Sequence, residues 1–230
     1  SASVTVSGGT PGYTYAWAPL GGNSATITGK PAGNYTCTIT DANGCTLVKT
    51  ITINTPAALS GTISKTDVSC NGGTNGVATV TATGGVGGYK YSWSPTGGTA
   101  ATASGLTAGT YTVTITDANT CSTTASVTII QPSALSAVTS QTDVLCNGGA
   151  TGTATVVASG GTTNYTYIWS PSGGTAATAT GLTAGNYSCL ITDNNGCTLT
   201  KTFTIMQPSV LFATTSQINA TCSTGGQAAV

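Results

Sequence analysis

The stretch NYTCTITDANGC, Asn34 to Cys45, alternates in polarity and then turns. Tyr35, Cys37 and Ile39 share one face while Thr36, Thr38 and Thr40 share the other, the period-two pattern of a half-buried strand. Asp41-Ala-Asn-Gly44 follows, a run in which the Asp side chain can cap its own backbone and Gly supplies positive φ. The same stretch returns as TYTVTITDANTC, Thr110 to Cys121, and as NYSCLITDNNGC, Asn186 to Cys197. The middle copy keeps the later cysteine but has Val113 in place of the earlier one. The two thiols therefore have different roles.

The step is general. Cys45, Cys121 and Cys197 are 76 residues apart, as are Trp17, Trp93 and Trp169, Cys70, Cys146 and Cys222, Pro56, Pro132 and Pro208, and Asp41, Asp117 and Asp193. An insertion-free period of this length marks a tandem array. The expected domains are 1–70, 71–146 and 147–222, with 223–230 starting another copy, and Pro56, Pro132 and Pro208 as alternative cuts. The chain opens in mid-pattern at SASVTV, so an export signal is expected outside it.

Within each copy, short alternating runs are separated by Gly, Asn and Pro, which predicts an all-β, immunoglobulin-like sandwich. Ala2, Val4 and Val6 face inward in the first run, Ala78, Val80 and Ala82 in its second copy, and Ala154, Val156 and Ala158 in its third. Tyr13, Tyr15 and Trp17 follow on one face of YTYAW. Tyr89, Tyr91, Trp93 and Tyr111 are expected to dominate the middle core. At roughly 200 Å² each and about 25 cal/mol per Å², the four supply on the order of 20 kcal/mol gross, an upper bound. Trp17, Trp169, Tyr35 and Tyr187 take the same places in the other copies. The segment LTAGTYTV, Leu106 to Val113, resembles a tyrosine corner, with Tyr111 two residues before a core position. Cys37 and Cys189 occupy that core position and are expected to be buried free thiols, with Val113 as their packing equivalent.

Eight cysteines without histidine or a CxxC pair favour disulfides and an oxidising, extracellular setting over zinc. Three pairings remain for the other six. A hairpin folding back at Thr55-Pro56-Ala-Ala58 would join Cys45 to Cys70, Cys121 to Cys146 and Cys197 to Cys222, and is preferred. Joining Cys70 to Cys121 would bridge opposite ends of one sandwich, about 20–25 Å apart over seven strand residues. Joining Cys70 to Cys197 would bridge neighbouring repeats.

The runs Cys70-Asn-Gly-Gly-Thr-Asn-Gly-Val-Ala-Thr-Val80, Tyr89-Lys-Tyr-Ser-Trp93, Leu106-Thr-Ala-Gly-Thr-Tyr111 and Thr116-Asp-Ala-Asn-Thr-Cys121 together resemble the SprB repeat of Bacteroidetes surface proteins. The resemblance covers essentially the whole chain. It implies a module of a long cell-surface adhesin or filament, exported by the type IX secretion system and in some members used in gliding. It carries over no catalytic residue and no cofactor. Cys37 and Cys189 depart from the usual two-cysteine pattern.

Little else in the sequence carries chemistry. Charged residues are 4% of the chain, five Lys and five Asp at zero net charge, so no basic stripe exists for nucleic acid. No apolar run reaches the roughly 20 residues of a membrane span. Asp41, Asp117 and Asp193 read as turn caps, and no DxDxDG spacing marks a calcium loop. Gly8-Gly9 and Gly84-Gly85 close strands and are turn glycines rather than phosphate loops. The expected role is a non-enzymatic structural repeat, extracellular and at the cell surface. Its partner is itself, through end-to-end polymerisation and lateral bundling of Thr- and Ser-covered faces that carry almost no charge. The alternative is a surface-binding array for carbohydrate or ice, with rows such as Thr110, Thr112, Thr114 and Thr116 as the contact. Asn34, Asn164, Asn186 and Asn219 head sequons that sugars could occupy.

Overall fold

A computed structural model describes residues 1–219. Among them are seventeen strands and no helix, as the period-two patterning requires. The first copy holds β1 (Ala2–Ser3), β2 (Thr14–Ala18), β3 (Thr26–Ile27), β4 (Gly33–Thr40) and β5 (Thr46–Ile53). The second holds β6 (Ser60–Thr66), β7 (Gly76–Thr83), β8 (Lys90–Ser94), β9 (Thr102–Leu106), β10 (Gly109–Thr116) and β11 (Ser122–Ile129). The third holds β12 (Ser136–Thr142), β13 (Gly152–Ser159), β14 (Thr166–Ser170), β15 (Thr178–Leu182), β16 (Gly185–Thr192) and β17 (Thr198–Ile205).

Each complete copy forms two antiparallel three-stranded sheets. In the third they run β12-β13-β15 and β14-β16-β17; in the second, β6-β7-β9 and β11-β10-β8. With strands named in sequence order as A, B, C, E, F and G, this is the A-B-E and C-F-G arrangement of an immunoglobulin-like sandwich. The first copy has β2-β4-β5 opposite a two-stranded sheet, β1-β3. By contacts the chain divides into two compact units: Ser1–Lys65 with Ala78–Ser104 and Thr110–Thr128, and Thr66–Val77 with Gly105–Gly109 and the described residues from Ile129. A cut at Cys70 would separate β6 from its sheet partner β7, whereas cuts at Pro56, Pro132 and Pro208 precede each A strand.

Inside the first unit, Trp17, Tyr35, Cys37 and Ile39 form one buried cluster. Inside the second, Trp169, Tyr187, Cys189, Ile191, Phe203 and Ile205 form another. Trp93 and Tyr111 are equally buried, while Tyr89 and Tyr91 remain half-exposed rather than part of the buried core. Tyr89 donates to the Gly84 carbonyl at 2.6 Å. The indole Nε1 of Trp17, Trp93 and Trp169 donates to the carbonyls of Ser24, Ala100 and Ala176 at 2.9, 3.0 and 2.9 Å, so each large ring is buried with its polar atom satisfied. The tyrosine corner forms: Tyr35 donates to the Pro31 carbonyl at 2.9 Å, and Tyr187 to that of Thr183 at 3.2 Å.

Register explains the exchange of Cys for Val. Cys37 lies opposite Trp17, Val113 opposite Trp93, and Cys189 opposite Trp169. All three are 0% exposed, so the position accepts any small apolar side chain that fits beside the indole. Gly84 and Gly160, both at φ +73°, turn the chain where the carbonyls of Ala58 and Ala134 press against them, leaving no room for a Cβ.

The outward faces carry paired hydroxyls. Thr110 meets Thr128 at 3.1 Å and Thr112 meets Ser126 at 2.8 Å across the β10–β11 pair. Thr155 meets Thr178 at 3.0 Å across β13 and β15.

Candidate functional site

Asp117 and Asp193 are the buried polar side chains among the described residues, each 4% exposed. Oδ1 of Asp193 accepts from the backbone N–H groups of Asn195 and Cys197 at 2.9 and 2.8 Å, closing the turn. Oδ2 accepts from the N–H of Thr162, at 2.8 Å, in the turn after the B strand. Asp117 repeats this with Asn119, Cys121 and Val86, and Asp41 with Asn43, Cys45 and Thr10. Capping within the Asp-Ala-Asn-Gly turn was legible in the sequence. The second tie, from one turn to the next some 31 residues away, was not, because only the fold brings the two turns together.

These N–H groups stabilise the ionised form and hold all three carboxyls below their ordinary value of 3.8. For Asp41 the Thr10 N–H is the leading cause, and for Asp117 the Val86 N–H. For Asp193 burial pulls upward most strongly, but the combined N–H donors outweigh it. A carboxyl with a lowered folded pKa adds stability that is complete above its unfolded value and vanishes as pH falls through the folded value. Melting temperature is therefore expected to drop below about pH 4. Asp193→Asn should start lower at neutral pH and show a shallower acid drop; equal drops in both proteins would contradict the assignment.

Cys70 is bonded to Cys197, 127 residues away, inside the second unit. This corrects the fold-back pairing of Cys45 with Cys70, Cys121 with Cys146 and Cys197 with Cys222. Cys45, Cys121 and Cys146 are free and exposed, Cys197 is already engaged, and Cys222 lies outside the described residues. The physical reason is a change of sheet. β5 pairs with β4 in the C-F-G sheet, whereas β6 pairs with β7 in the A-B-E sheet, so no hairpin forms at Pro56.

A set of backbone ties then delivers Cys70 to Cys197. The Val68 N–H donates to the Ile130 carbonyl at 3.0 Å, Asn71 Nδ2 to that of Pro132 at 3.0 Å, and the Gly72 N–H to Gln131 Oε1 at 2.7 Å. The Cys-Asn-Gly-Gly loop is thereby fixed to the chain leaving β11. Asn195 Nδ2 from the following F–G turn donates to the Ser69 carbonyl at 3.0 Å. Side-chain identities such as Gln131 and Asn195 signal this only once the loop and turn are known to meet.

Cys37 and Cys189 are free and buried, and desolvation raises both thiol pKa values. Thiol labelling of the native protein is expected to modify Cys45, Cys121 and Cys146. Cys37 and Cys189 should react only after unfolding, and their labelling in the folded protein would overturn their placement.

No group of three or more potential metal ligands occurs among the described residues. A surface depression of about 540 Å³ is lined by Ser170, Asn186, Ser188, Thr202 and Thr204 together with Tyr187, whose hydroxyl is engaged at the Thr183 carbonyl in the tyrosine corner. No helix long and apolar enough to cross a membrane occurs among the described residues.

Sheet order, tyrosine corner and indole placement define a tandem of immunoglobulin-like sandwich repeats. The family model described as SprB repeat matches at residues 1–22, 62–99 and 138–174, one match in each of the three copies. Similar solved structures include the N-terminal eight Ig domains of Down Syndrome Cell Adhesion Molecule isoform 1.30.30. That match has 14% identity and a TM-score of 0.39, and covers 85% of this chain and 32% of that one. Sidekick-1 immunoglobulin domains 1-5 match at 13% identity with a TM-score of 0.34, covering 85% and 52%. The chain thus spans about a third and a half of those structures. Comparison with curated proteins gives no match.

Proposed function

We propose that this chain is a structural repeat array of an extracellular filament or adhesin stalk, cut into sandwiches at Pro56, Pro132 and Pro208. The observation that supports it best is the disulfide between residues 127 apart, which ties the Cys-Asn-Gly-Gly loop of one repeat to the F–G turn of the next. Such a bond holds successive repeats in a load-bearing line and has no use in catalysis. An oxidising compartment outside the cytoplasm is the setting in which it persists. Export by type IX secretion and use in gliding accompany the SprB repeat as further parts of this reading. Lateral bundling follows from strand faces of Thr and Ser that hydrogen-bond to one another and carry almost no charge.

Single-molecule stretching tests the stalk directly. The account expects repeat-sized unfolding steps that shorten when Cys70–Cys197 is intact and lengthen after reduction. Steps indifferent to reductant would count against it.

A further inference from the structure

The third sandwich departs from the second on both of its outward faces. Val138 lies directly opposite Val157 across β12 and β13, and Ile168 directly opposite Leu190 across β14 and β16. All four are exposed, at 73, 62, 58 and 37%. One period earlier stand Thr62, Thr81, Ser92 and Thr114. Thr62, Thr81 and Ser92 are exposed as well, in the copy that has sequence on both sides of it. Exposure at these positions therefore belongs to the sheet faces themselves.

The core has no use for these four side chains, since Val156, Trp169 and Cys189 beside them point the other way and are buried. Every other outward position on β12, β13, β14, β16 and β17 is Ser, Thr or Asn, so these strands present no charge outward. Each face thus carries one aliphatic row among hydroxyl rows. The two rows also stand level. Val138 and Ile168 come two residues after the starts of β12 and β14, while Val157 and Leu190 come two before the ends of β13 and β16. These strand ends share one end of the sandwich: Ser136 pairs with Ser159 and Thr166 with Thr192, and the Thr162 N–H ties the B–C turn to Asp193 after β16.

We propose that the A-B-E face of this sandwich packs on the C-F-G face of the same sandwich in a second copy, with Val138 and Val157 against Ile168 and Leu190. This rests on the structural reading above and names its lateral contact. Because the rows stand level on opposite faces, they meet when two threads run parallel and in register. One face meets a different face, so the contact is heterologous and accepts a third copy as readily as a second. Packed sheets lie about 10 Å apart, inside a sandwich and between sandwiches alike, which sets neighbouring threads roughly 20 Å apart.

Charge selects the register. Sliding one thread by a single repeat sets the Val row on Ser92 and Thr114, next to Lys90, which pairs with Thr116. Covering that ammonium costs its hydration and supplies no partner. Area sets the strength. Eight-residue strands in a three-stranded sheet present a face of roughly 26 by 14 Å, so one contact buries about 750 Å² in total. A stable pair needs about 1,200 Å² or more. Single chains therefore associate weakly, and threads bundle because many sandwiches engage at once.

The test is nuclear magnetic resonance of the isotope-labelled 230-residue chain, diluted from millimolar concentration. Amide signals around Val138, Val157, Ile168 and Leu190 should shift together with concentration, and those around Ser92 and Thr114 should stay still. Val138→Lys and Ile168→Lys alter exposed side chains and should leave circular dichroism unchanged. Each variant alone should lose the shifts on both rows, because each lacks one of the two faces that meet. Labelled Val138→Lys mixed with unlabelled Ile168→Lys should regain the shift at Ile168 and Leu190, since the mixture again holds one intact face of each kind.

Three results overturn the proposal. The rows may stay still at every concentration in the parent. The Ile168 and Leu190 signals may shift in Val138→Lys alone, which would mean that like faces meet. The mixture may fail to regain what each variant lost. None of these touches the stretching experiment, so repeat-sized steps with motionless rows would reject this contact and leave the structural role standing.

Discussion

Cys197→Ser is expected to lower the stability of the second unit by about 4–5 kcal/mol, the chain-entropy value for closing a loop of more than 100 residues. The bond constrains the unfolded chain far more than the folded one, since backbone ties hold the Cys70 loop against the chain leaving β11. Denaturant unfolding followed by Trp fluorescence should show an earlier transition in the variant. Reductant should shift the parent by a similar amount and the variant by none. Equal midpoints for parent and variant would mean that the bond closes no loop that unfolding opens.

Trp169→Ala is expected to cost about 3–5 kcal/mol. The indole is 5% exposed and packs at 5.1 Å between ring centroids from Phe203. Removing it leaves a large cavity beside Cys189 and strips the Ala176 carbonyl of its donor. For a sandwich of this size the loss corresponds to a fall of roughly 15–30 °C in melting temperature. Trp169→Phe should recover most of the packing but not the hydrogen bond, and so fall between the two. A Trp169→Ala protein melting within a few degrees of the parent would place the core elsewhere.

The strands and their facing were readable because period two is a local property. Tyr35, Cys37 and Ile39 alternate with Thr, and each is buried. The tyrosine corner was readable because Tyr111 and its copies stand at a fixed offset from a Gly turn. The disulfide was not, because a pairing depends on which sheet each strand joins. The runs after Cys45 and before Cys70 could be aligned as a hairpin, with Leu47 opposite Val68. Yet β5 finds a better partner in β4, where eight residues pair in unbroken register. Leu47 and Val48 are 51% and 54% exposed, so apolar content alone was a poor guide to that edge. The Asp193 tie to Thr162 was hidden for the same reason: its two turns are neighbours only across the folded sandwich.

Imaging of native surface material at side-chain resolution tests the structural role most directly. The account predicts threads in which the 76-residue sandwich recurs without interruption, with continuous density from each Cys70 to Cys197 and neighbouring threads in bare lateral contact. Separate chains with no repeat continuing from one to the next, or threads lacking that bridge, would contradict it.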